Sequence, residues 1–153
     1  MKIIKNEAGA VLHEYYPPHG DDLAPMNLAG LNLRNAMLEG EELSDANFVG
    51  ANLAEADLYW AILFRANLEG ANLQKAMLAG ADLKLANLKN ADLSDANLGK
   101  DNLGGSTQLQ GADLRGAKLE GTLLDGAEFD STTQFPEGFD PIKHGLRIVT
   151  NKP

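Results

Sequence analysis

The chain contains no cysteine. That excludes disulfides, thiol chemistry and cysteine-ligated zinc. Proline is sparse, at 6 of 153 residues, and aromatics make up only 6%. No apolar run approaches the ~20 residues of a membrane span. The opening Met1-Lys2-Ile3-Ile4-Lys5-Asn6 lacks the apolar stretch of a secretion signal. The expectation is a cytoplasmic protein of one domain, with no membrane contact. Basic residues are also short, 13 Lys and Arg against 22 Asp and Glu, for a net charge of −9. Direct nucleic-acid binding is therefore not expected. The excess is uneven: residues 1–45 hold 8 acids against 3 bases, whereas 46–105 and 106–153 each hold 7 against 5.

Catalytic chemistry is equally scarce. His13, His19 and His144 have no carboxylate or second histidine at metal spacing. Gly104-Gly105-Ser106-Thr107 lacks the lysine and the following helix of a phosphate loop. No catalytic residue, metal site, cofactor or small-molecule substrate is assigned, and the chain reads as not an enzyme.

What the sequence has in abundance is a period of five. Counting from Leu23 to Leu103 gives 17 consecutive hits, 16 of them Leu and one Phe48. Two residues before each hit stands usually Ala, and one before it Asn or Asp. Apolar, polar, apolar is the in–out–in pattern of a very short strand. The next two residues must turn the chain, and the second of them is Gly at positions 30, 40, 50, 70 and 80, as a positive φ demands. A helix would need apolar spacings of three and four. Three-residue strands joined by two-residue corners make a coil, which buries its inner face only by stacking on further coils.

Units such as Ala51-Asn52-Leu53-Ala54-Glu55 and Ala66-Asn67-Leu68-Glu69-Gly70 resemble those of the pentapeptide-repeat proteins. The resemblance implies an all-β fold, a right-handed quadrilateral β-helix with four pentapeptides per coil, over residues 21–131. At about 4.8 Å per coil the rod would be on the order of 25 Å long. After Leu103 the next centre is Leu109, then Leu114, Leu119, Leu124 and Phe129. This reads as a one-residue register slip near 104–107, absorbed in a corner. The centres from Leu23 to Leu103 and from Leu109 to Phe129 are expected to be buried.

An open solenoid end exposes strand edges and apolar interior. Residues 1–20 read as an N-terminal cap, a β-hairpin of Lys2–Lys5 and Ala10–Tyr15 ended by Pro17-Pro18. Residues 132–153 read as a C-terminal cap and tail, with Asp140-Pro141 and Gly145 framing a helical turn. Two inward slots carry acids, Glu41 and Asp101, in the column Asp21, Glu41, Ala61, Ala81, Asp101. They read as local relaxations of register near a cap and near the slip.

The strongest anomaly is on the outside. Tyr59, Trp60, Ile62 and Phe64 are all outward, bordered by Arg65 and by Leu85 one coil on, with Met37 and Met77 flanking Asp57. A contiguous apolar patch with Trp, Tyr and Arg on a polar rod marks an interface. The alternative is that the N-terminal hairpin folds back over it. The reading is a structural, protein-interaction module whose aromatic corner docks a protein of unknown identity or a second copy. The family resemblance adds another: some members resemble duplex DNA in size and charge and bind DNA gyrase, so an acidic mimic binding gyrase or another DNA-binding protein stands as the alternative.

Overall fold

In each unit the Asn or Asp before the Leu does two things. Its side-chain oxygen accepts the backbone N–H two residues on, as in Asn52 to Ala54 (3.2 Å), Asn67 to Glu69 (3.2 Å) and Asp82 to Lys84 (3.0 Å). This Asx turn starts the corner. Its backbone pairs with the residue 20 positions on: Asn27 with Asn47, Asn47 with Asn67, Asn67 with Asn87. Asn can also donate along the column, as Asn47 does to Asn27 (3.0 Å) and Asn87 to Asn67 (3.0 Å). Asp and Asn share the accepting oxygen, so many acids at this slot serve the turn.

Each corner closes with a bond from the next Ala to the Leu, such as Ala56 N–H to the Leu53 carbonyl (3.0 Å). The second corner residue is left-handed whether or not it is glycine. Glu55, Trp60, Arg65, Lys75 and Leu85 all have φ between 56° and 59°. That conformation costs roughly 1–2 kcal/mol for an ordinary L-residue.

The computed structural model describes residues 2–15 and 25–150. Leu23, Asp21, Pro17-Pro18 and His19 lie outside the described residues. Four pentapeptides per turn make a right-handed quadrilateral β-helix, and no helix interrupts it among the described residues. The Leu centres and the Ala two before them fill the interior with almost no exposure. Small Ala lets neighbouring faces approach, and Leu fills the space at native density.

The register departs from expectation after Leu98. Asp82 pairs with Gln108, 26 residues on instead of 20, and Asn87, Asp92 and Asn97 pair with Asp113, Lys118 and Leu123 at the same offset. The insertion is therefore six residues, a whole pentapeptide plus one, and it loops out between Gly99 and Thr107. Leu103, expected to be buried, is 85% exposed, and Leu109 stands in the column of Leu83. Asp101 leaves the inward column. The slot above Ala81 belongs instead to Thr107, fully buried, whose hydroxyl lies 3.0 Å from the carbonyls of Leu78 and Gly99 and accepts from the Gly80 amide at 3.1 Å. A further residue is inserted after Phe129, since Asp113 pairs with Gln134. The ladder thus runs past residue 131, and Leu119 is only half-buried.

At the N-terminal end, β1 (Lys2–Lys5) and β2 (Val11–Tyr15) form an antiparallel hairpin. It closes the rod through Ile4, which is buried in the core, and through the Lys5 carbonyl accepting the Met37 amide at 2.8 Å. At the other end, β3 (Glu128–Phe129) receives β4 (Arg147–Ile148) as a parallel neighbour. Residues 141–145 form turns, started by Asp140 accepting the Ile142 and Lys143 amides. Phe129 meets Phe135 edge to face, and Phe135, Phe139 and His144 stack in sequence, at centroid distances of 5.4, 5.3 and 4.3 Å.

Candidate interaction surface

The hairpin does not cover the aromatic corner. Trp60 is 46% exposed and Ile62 38%, while Tyr59 and Phe64 are half-buried. Tyr59 and Trp60 form the corner before Ile62, their rings 6.2 Å apart and tilted by 46°. Ile62 stands on the next face between Glu42 and Asp82. Phe64 and Arg65 form the corner after it. The six residues singled out in the sequence thus lie on two corners bridged by one face.

The second corner is internally satisfied. Arg65 grips Asp45 with both arms of its guanidinium, at 2.7 Å each, and lies 5.2 Å from the centre of the Phe64 ring. Its hydrogen bond to Asp45 holds that carboxyl below its usual range. Leu85 is 54% exposed and leans over Gly111, where a β-carbon would meet it at 2.5 Å. Between Phe64 and Leu85 opens a shallow groove of about 490 Å³ that runs on past Gln108, Gln110 and Thr132.

The first corner is less conventional. Trp60 holds φ at +58°, a position filled by Gly40 and Gly80 in the coils on either side. Its ring lies against Gly80 and reaches the inserted loop at Gly105. The loop therefore belongs to the surface, and sequence reasoning missed it. The signal available was Asp in place of Ala at 101. Asp57 caps this corner by accepting the Tyr59 amide at 3.1 Å, but three Asx slots around it are given up. Met37, Ile62 and Met77 stand where Asn or Asp would cap the turn, and Met37 and Met77 are each 49% exposed. Each replacement forfeits a hydrogen bond worth about 0.5–1.5 kcal/mol and leaves an apolar side chain in water.

No group of acids, histidines or cysteines among the described residues could hold a metal ion, and no helix is long and apolar enough to cross a membrane. The repeat geometry itself matches a known pattern. A family model described as pentapeptide repeats (8 copies) matches residues 27–63, 66–100 and 107–133. The chain belongs to the pentapeptide-repeat family. The match breaks between 100 and 107, where the loop leaves the rod. A pentapeptide-repeat protein, Rfr23, from the cyanobacterium Cyanothece 51142 is 37% identical, with 78% of this chain and 71% of that one covered and a TM-score of 0.61. The pentapeptide-repeat protein alr5209 from Nostoc PCC 7120 is 32% identical over 82% of this chain and 99% of that one, with a TM-score of 0.41. QnrB1, a plasmid-mediated fluoroquinolone resistance protein, is 20% identical over 82% of this chain and 80% of that one, with a TM-score of 0.34. No curated protein matches the chain.

Proposed function

We propose that this pentapeptide-repeat rod is a non-enzymatic interaction module whose binding surface is the corner of Tyr59 and Trp60. The surface continues through Ile62 to Phe64, Arg65 and Leu85. The observation that carries the reading is Trp60 itself. The chain's only Trp sits half in solvent, at a corner slot that the coils on either side fill with glycine. A large exposed aromatic residue on an otherwise polar surface is a mark of an interface. Met37, Ile62 and Met77, each apolar at a turn-capping slot, support the same reading.

An acidic duplex mimic is the second reading, supported by the net charge of −9. Against it, Asp57, Asp82, Asp92 and Asp113 are engaged in corner hydrogen bonds, and several of them in ion pairs with Lys or Arg. The discriminating experiment is Trp60→Ala. It should leave the melting temperature within a few degrees of wild type and weaken self-association or capture of a partner. Full retention of every interaction would remove the corner from consideration, and titration of gyrase supercoiling with the purified protein then tests the acidic reading.

A further inference from the structure

The exposed face of Trp60 has a buried counterpart. Asp101, in the inserted loop, is 7% exposed. Its Oδ1 accepts the Leu103 and Gly105 amides at 2.7 Å each, which folds the loop back on itself. Its Oδ2 is buried with no hydrogen-bond partner. A buried acceptor left unmade is unfavourable, and more so when charged. This oxygen sits beside the indole. A β-carbon on Gly80 would meet Trp60 Nε1 at 3.0 Å and Asp101 Oδ2 at 3.2 Å, and one on Gly105 would meet Asp101 Oδ2 at 2.4 Å and Trp60 Cζ2 at 3.3 Å. Two glycines leave the space in which ring and carboxylate meet.

The rim carries acids beside two exposed lysines, Lys5, whose carbonyl takes the Met37 amide, and Lys75, two residues before Met77. Glu39 and Glu42 are exposed, Asp57 is half-exposed, and none of the three forms an ion pair among the described residues. Three other bases of this region are engaged with acids outside the rim: Arg65 with Asp45, Lys84 with Asp82, Lys100 with Asp125. Between the acids stand the exposed side chains of Met37, Ile62, Met77 and Leu103.

We propose that this corner receives a cationic, apolar-flanked segment of a partner protein. One Lys or Arg of that segment donates to Asp101 Oδ2 while the Trp60 indole lifts from Gly80 and packs on it. The proposal rests on the corner being the binding surface and adds the chemistry of what binds. An aromatic face beside a desolvated carboxylate is complementary to a cation on both counts. The apolar residues around it match the flanks, and the acidic rim steers the approach. Trp60 is able to move because glycine lies beneath it at both contacts.

The test uses the full chain and a displayed library of random peptides, selected for binding to wild type and against binding to Trp60→Ala. Peptides so selected should be enriched in Lys or Arg next to apolar residues and should shift the emission of the single Trp. Their affinity should fall about tenfold for Asp101→Asn, which keeps one oxygen for the two loop amides but loses the charge-assisted bond. Should Asp101→Asn open the loop, as judged by melting, the exposed double variant Glu39→Gln/Glu42→Gln serves instead, with weaker binding and a flatter salt dependence expected. Trp60-dependent peptides without basic enrichment, or equally tight on the charge variants, overturn the cationic partner and leave the corner reading standing. A library yielding no Trp60-dependent binder overturns both.

Discussion

The indole nitrogen of Trp60 and the Oδ2 carboxylate oxygen of Asp101 converge over Gly80, with 3.0 and 3.2 Å to the place where a β-carbon there would sit. Gly80 also holds φ at +75°, so Gly80→Ala faces both strain and crowding. The variant should lose about 1–2 kcal/mol, and the emission of the single Trp should move to longer wavelength as the ring is lifted into water. A fluorescence spectrum and a melting curve both superimposable on wild type would mean that the ring does not use this hollow.

The six-residue insertion makes two leucines at the same phase of the five-residue period behave oppositely. Leu73 is fully buried and Leu103 is 85% exposed. Leu73→Asp places an unpaired charge in a packed interior and should prevent folding or lower stability by several kcal/mol. Leu103→Asp should be close to neutral, within about 0.5 kcal/mol. Thermal unfolding followed by circular dichroism separates them, and a comparable loss in both would place Leu103 inside the rod.

The reason that Leu103 was misjudged lies in the repeat. A period of five reports register only modulo five, so an insertion of one residue and an insertion of six leave the same trace after Leu98. Ala, Asn and Leu at fixed offsets were enough to specify the coil, because each serves one physical role: small inward contact, turn cap, core filling. The aromatic corner was legible for the same reason, as apolar residues at outward slots that are otherwise polar. Nothing in the repeat could report the closure of Asp101 over its own loop amides, or the buried hydroxyl of Thr107 in a column of alanines. Those depend on contacts across an interruption of the pattern. Likewise β4 and the aromatic cluster from Phe129 to His144 form where the period has ended, and they are held by contacts between distant residues.

Thr107 is the clasp of the insertion. Its hydroxyl satisfies the Gly80 amide and reaches two carbonyls in a site with no exposure. Thr107→Val keeps the shape and removes the hydroxyl, leaving buried backbone groups unmade. A loss of about 1–3 kcal/mol is expected, with faster hydrogen exchange at the Gly80 amide. An unchanged exchange rate at that amide would show that the hydroxyl contributes no closure.

Acid should loosen the rod at two identified columns. Burial pushes the Asp92 carboxyl upward, but hydrogen bonds from Ser94, Gln74 and Lys118 outweigh it and bring it down to about 2. For Asp113 the hydrogen bond from Arg115 is the largest influence, opposed by burial and helped by Lys89, and it too falls to about 2. Both folded values lie below the ordinary 3.8, so the ionised forms stabilise the fold. That contribution is fully present above about pH 4 and is lost as pH falls toward 2, at most about 2 kcal/mol for each group. Asn is the natural occupant of the same slots and still accepts the corner amide, but it cannot hold the charge for Lys118, Lys89 or Arg115. Asp92→Asn/Asp113→Asn should therefore melt below wild type at neutral pH, and the gap should close between pH 4 and pH 2. A gap that stays constant over that range would assign the acid sensitivity to other carboxylates and leave these two as turn caps alone.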